Sequence, residues 1–110
     1  GHPRGAGTFP RVIGHYVRDK KEIDFFDAIY KMTYMPAKRL NLKRKGLLKE
    51  GLDADIVIFD YNTIIDKATF EDPQLRPEGI EAVIIDGKVA IENGVTMNNT
   101  AGKFYKRGEA

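Results

Sequence analysis

The chain has 110 residues, enough for one domain with a modest core and too few for two. Its 18 basic and 16 acidic side chains leave a formal net charge of +2, so the basic excess of a nucleic-acid binder is missing, and the apolar share of 42% excludes wholesale disorder. With no cysteine, disulfides, thiolate metal ligands and a cysteine nucleophile are excluded together.

The chain opens on "GHPRGAGTFPRVIGHYVR". Three glycines, two prolines, a histidine and an arginine in the first ten residues predict a basic loop of the kind a rigid scaffold presents to a ligand. Such a loop belongs inside a longer protein, and there is no start methionine. Behind it Phe9, Val12, Ile13, Tyr16 and Val17 recur at helical spacing, with Thr8 as the expected N-cap and Pro10 in the first turn. "KKEIDFFDAIYKMT" predicts a second helix with Ile23, Phe26, Ile29, Tyr30 and Met32 on one broad face. Asp24 and Asp27 fall near its start and Lys31 near its end, as the helix dipole favours. "PAKRLNL" reads as a short third helix beginning at Pro36.

Around Gly46 the period changes. "DADIVIFD" is a run of β-formers with apolar side chains at both alternations, which suits a strand covered on both faces. "DKATFEDPQLRPEGI" reads as an ordered excursion over the surface. "EAVIIDGKVAIENG" predicts a hairpin turning at Asp86-Gly87, the pair a type I′ turn prefers. In that register Ile84 faces Val89 and Ala82 faces Ile91. The tail "AGKFYKRGEA" offers one short strand at most. The order is helices and then strands, an α+β arrangement whose thin sheet needs cover from the helices or from a missing partner.

A complete catalytic constellation is not legible in these residues. A zinc site needs three or four converging ligands, and His2 and His15 share no helical face with a second one. His15 reads as a helix residue near the surface, whereas for His2 packing and ligand contact both stay open. Asp53-Ala54-Asp55 fits the capping of a turn better than a metal site. The basic run from Lys38 to Lys49 reads as a solvated helix end and turn. The opening glycines are not a phosphate loop, because no strand precedes them and the lysine and hydroxyl of that motif are missing. A serine elbow is impossible in a chain without serine.

The strings themselves carry more. "MPAKRLNLKRKGLLKEGLDADIVIFD" and "AVIIDGKVAIENG" resemble the C-terminal stretch of the amidohydrolase superfamily, the metal-dependent relatives of hydantoinase and dihydroorotase. Within it, "HPRGAGTFPRVIGHYVR" and "DKATFEDPQLRPEGIEAVIIDGKVAIENG" resemble the N-acyl-D-amino-acid deacylases, the D-aminoacylases. The resemblance implies a fragment of a longer enzyme, a (β/α)₈ barrel with a small β-sandwich. Residues 1–45 would end the barrel, and residues 46–110 would belong to the sandwich. It implies zinc in the parent enzyme, which activates a water for hydrolysis of the amide of an N-acyl-D-amino acid, with an aspartate moving the proton. Those ligands and that aspartate would precede Gly1, so no catalytic or metal residue is carried onto this chain. His2, Arg4 and Thr8 would lie near the substrate mouth and Arg11 near the root of the loop, on the face where barrel sites are built. Arg4 and Arg11 could equally pair with carboxylates in the parent.

Two other readings stay open: a hydantoinase- or dihydroorotase-like fragment, and a stand-alone α+β interaction module. Expected partners are the small substrate and the missing N-terminal part of the same chain, or failing that a second copy. Neither nucleic acid nor a membrane is expected, because no apolar run approaches the roughly 20 residues of a membrane span. The expected location is cytoplasmic, in keeping with a cysteine-free composition.

Overall fold

The computed structural model describes residues 4–97, with side chains from residue 7 onward. Helices come first: α1 (Arg4–Arg11), a π-helical segment (Val12–Asp19), α2 (Phe25–Met32) and α3 (Tyr34–Arg39). Four strands follow, β1 (Ile56–Phe59), β2 (Ile80–Ile85), β3 (Lys88–Glu92) and β4 (Val95–Thr96). The helices-then-strands order is the one expected. Contacts divide the chain into two compact units, one of Gly1–Ala28 with Phe59–Glu81, the other of Ile29–Ile58 with Ala82–Ala110.

In the first unit the opening segment is helical from Arg4, not a loop through to Thr8. Glycine in a helix costs only about 1 kcal/mol relative to alanine, and at Gly7 the close approach of Asp66 leaves no room for a larger residue. The helix breaks once, at Gly7 (φ −133°, ψ 16°). Gly7 therefore takes the capping place expected of Thr8, and Pro10 still falls within the first turn after the break, where its missing N–H is harmless. From Val12 the winding loosens, and Lys20 N–H donates to His15 O, five residues back, at 2.9 Å. Such π-turns are uncommon and arise where packing demands an extra residue per turn. Ile13 and Val17 are buried, while Phe9, on the same expected stripe, is exposed.

The second helix starts at Phe25, five residues later than the pattern from Lys20 predicts. Asp24 is the reason. Its carboxylate accepts Asp27 N–H at 3.1 Å, and its carbonyl accepts Ala28 N–H at 2.9 Å, which makes it the N-cap. Further on, Asp60 organises a turn, accepting Asn62 N–H on its carboxylate at 2.8 Å and Ile64 N–H on its carbonyl at 2.9 Å. Ile64, 2% exposed, is the most buried large side chain among the described residues. Ile65 and Glu78 exchange both backbone bonds, and Asp60 N–H reaches Gly79 O at 2.8 Å. Those bonds close off residues 66–77, which run as the expected irregular excursion with Phe70 three-quarters exposed.

In the second unit α3 begins at Tyr34, two residues before Pro36. Proline is tolerated there because it still lies in the first turn. Thr33 does not cap α3, since its hydroxyl donates back to Ile29 O at 2.7 Å. The sheet has the order β1-β2-β3-β4. The turn at Asp86-Gly87 is as expected, with φ of 51° and 76°, the left-handed values a type I′ turn requires. Ile84 pairs with Val89, as read from the sequence. Beyond it the register slips at a bulge, so that Ile91 faces Val83 and not Ala82. Ala90 is the extra residue and is buried, a case of one inserted residue turning a small side chain inward. A second left-handed turn at Asn93-Gly94 (φ 50° and 80°) leads into β4, which the sequence reading did not anticipate. β1 is narrower than expected and is not covered on both faces, with Val57 51% and Ile58 44% exposed. The expected tail strand lies outside the described residues.

Candidate functional site

The expected substrate-side residues begin the first unit. His2 lies outside the described residues. Arg4 opens α1, and Thr8 stands just past the break at Gly7 on the exposed side. Arg11, one turn further on, is the residue whose surroundings are best defined. Its guanidinium pairs with Asp66, Nη1 to Oδ2 at 3.6 Å, and lies over the Tyr16 ring at 5.7 Å from the centroid. The Asp66 side chain is only 5% exposed. Arg11 Nε is buried with no hydrogen-bond partner among the described residues. Arg11 thus finds its carboxylate within this chain.

Asp66 was not singled out from the sequence. The signal was an acid directly after "TII", where a strand-like apolar run passes into the excursion. Its neighbours belong to the same close approach. A Cβ on Gly7 would stand 2.5 Å from Asp66 Cβ, and one on Gly14 would stand 2.2 Å from Ile64 O. Arg18 completes the row, donating to Ile64 O at 2.8 Å and Tyr61 O at 3.1 Å. His15, read as a helix residue near the surface, lies half-buried in the π-helical segment and contacts Tyr16 edge-on, with ring centroids 4.7 Å apart.

In the second unit Asp53 and Asp55 are structural, as expected, but through ion pairs and not turn capping alone. Asp53 receives Arg44 Nε at 2.9 Å and Lys45 Nζ at 3.2 Å. Asp55 receives Lys45 Nζ at 2.5 Å and the N–H of Asp86 at 2.8 Å. Arg44, and after it Lys45, hold the Asp53 carboxyl below the usual carboxylate range. Burial disfavours the Lys45 charge, yet its bonds to Asp55 and Asp53 outweigh that and hold its pKa above the ordinary lysine value. An open cavity of about 430 Å³ borders this cluster, with Tyr34, Lys38, Lys43, Lys49 and Glu50 in its lining. Lys45, which also lines it, is neutralised by two carboxylates.

Among the described residues no three His, Cys, Asp or Glu side chains converge as metal ligands. The zinc that the resemblance implies therefore does not fit any group of side chains described here. Nor is any described helix long and apolar enough to cross a membrane.

The profile of the Amidohydrolase family matches residues 1–91, and the chain belongs to that family. More particularly, it is similar to the D-aminoacylase of Alcaligenes xylosoxydans xylosoxydans, 41% identical over 109 residues, which are 99% of this chain and 22% of that protein. A solved structure of D-aminoacylase, concerned with its binuclear metal centre, superposes with a TM-score of 0.92 at 40% identity, covering 96% of this chain and 22% of that one. The N-acyl-D-glutamate deacylase of Bordetella bronchiseptica, complexed with zinc and a phosphonate inhibitor, matches with a TM-score of 0.81 at 36% identity over 86% of this chain and 20% of its own. The chain spans about a fifth of the length of these relatives.

Proposed function

We propose that this chain is the C-terminal section of a metal-dependent amide hydrolase that releases D-amino acids from their N-acyl derivatives. The observation that carries the reading is a likeness to D-aminoacylase that spans 99% of the chain and only 22% of the relative. Residues 1–45 then end the catalytic barrel, and residues 46–110 belong to the small β-sandwich. The half-exposed Val57 and Ile58 on β1 suit a strand that awaits cover from the rest of the polypeptide. His2, Arg4 and Thr8 serve the substrate side of the barrel, with Arg11 at the root of the segment. The metal ligands and the general base are supplied from elsewhere in the protein, zinc being the metal in the inhibitor-bound deacylase it resembles. The chain alone is inactive.

The test is an assay of the complete translation product of this reading frame, beside the 110-residue chain, on N-acetyl-D- and N-acetyl-L-amino acids. Expected is hydrolysis of the D-series by the complete product and none by the chain alone. Hydrolysis of cyclic ureides or dihydroorotate in place of N-acyl-D-amino acids would move the protein to the hydantoinase and dihydroorotase side of the family. A frame whose initiator methionine directly precedes Gly1 would leave the reading without a catalytic part.

A further inference from the structure

Gly7, Arg11, Gly14 and Arg18, spread over α1 and the π-helical segment, turn one face to a later stretch of the chain. The stretch from Tyr61 to Asp66 lies along that face. Ile64 O sits under Gly14 and accepts from Arg18. Asp66 sits under Gly7 and pairs with Arg11. The two glycines let the backbone approach closely, and the two arginines tie it down at intervals. At the C-terminal end the ties are hydrogen bonds to backbone carbonyls, which any sequence in that stretch would supply. At the N-terminal end the tie depends on one side chain. A carboxylate that is only 5% exposed must keep a cationic partner close, and such a pair fixes geometry more dependably than it adds stability.

We propose that Asp66 is a positioning residue: it sets where α1 lies by holding Arg11 and seating the break at Gly7. Its catalytic consequence rests on the function proposed above, in which the opening segment serves the substrate side. A buried charge on the excursion then governs a helix 50 and more residues earlier in the chain, and through it the geometry of the segment that meets substrate.

The experiment uses the complete protein with Asp66→Asn, which keeps the shape and removes the charge, and Gly7→Ala, which pushes a methyl group against Asp66 Cβ. Asp66→Ala is the harsher variant. Amide hydrogen exchange across residues 4–11 and steady-state kinetics on an N-acetyl-D-amino acid are read together with the melting temperature. Expected is faster exchange confined to residues 4–11 and a fall in kcat/KM of on the order of tenfold or more, since small misplacements of positioning elements are costly. The loss should fall chiefly on KM. Unchanged exchange in all folded variants would overturn the proposal, whether or not the protein proves to be a deacylase. Faster exchange with unchanged kcat and KM in an active deacylase would overturn the positioning role and leave packing alone. Faster exchange in a protein whose wild type hydrolyses no N-acyl-D-amino acid would support the seating of α1 and sink the function proposed above.

Discussion

At the scale of single residues, the side chains that fix this chain's geometry are paired charges and close-packed glycines. Gly14 shows the second kind. A methyl group there would stand 2.2 Å from Ile64 O, a backbone atom that cannot rotate away. Gly14→Ala is expected to cost about 1–3 kcal/mol or more, visible as a lower denaturant midpoint with unchanged slope. Asp53 shows the first kind. Its folded pKa lies below the unfolded value because of Arg44 and Lys45. The stabilisation is complete above an unfolded carboxylate pKa of about 4 and is lost as pH falls through the lower, folded value. Acid unfolding of Asp53→Asn, followed beside the wild type, should therefore lack part of the acid-side loss. Identical acid limbs would show the pairing to be energetically idle, as many exposed ion pairs are.

At the scale of elements, the turn at Asp86-Gly87 joins local chemistry to a longer-range tie. Residue preference alone forms the turn, and Asp55 then accepts Asp86 N–H from 31 positions away in sequence. Gly87 has open space around it but a φ of 76°. Gly87→Ala should consequently cost only the left-handed strain of about 1–2 kcal/mol, measurable as a fall in melting temperature with no change in strand register by NMR. The elements also show where periodicity is a good guide and where it is not. Hydrophobic spacing found the π-helical segment, α2, β1 and the hairpin, because burial of one face leaves its period in the sequence. It misplaced the start of α2, because the cap at Asp24 and not the apolar pattern decides where the first turn closes. It missed the bulge at Val83/Ile84, because an inserted residue leaves the composition of both strands unchanged.

At the scale of the whole chain, much apolar surface stays in contact with solvent. Val57 and Ile58 on β1, Val95 on β4 and Phe26 and Phe70 elsewhere are all more than 40% exposed, and β1 is an outer strand of the sheet. Uncovered apolar edges invite pairing with another copy. The isolated 110-residue chain is accordingly expected to self-associate and to unfold with poor cooperativity. Sedimentation over a range of concentrations checks this, with Val57→Lys expected to shift the distribution toward monomer. A sharp melt of a concentration-independent monomer would count instead for a self-sufficient module.

What the sequence determined by itself was the family, the order of helices before strands and the Asp86-Gly87 turn. These depend on local preference or on strings that need no partner to be read. The partner of Arg11 was decided only in the tertiary structure, because Asp66 lies 55 positions further along and nothing in its local pattern marks it as buried. The same holds for the ties from Arg44 and Lys45 to Asp53 and Asp55, and for the small-residue face at Gly7 and Gly14. Which charge meets which, and which glycine lies against a backbone, depends on how the chain returns upon itself. Periodicity reports that a face is buried; the identity of what covers it is fixed only when distant segments meet.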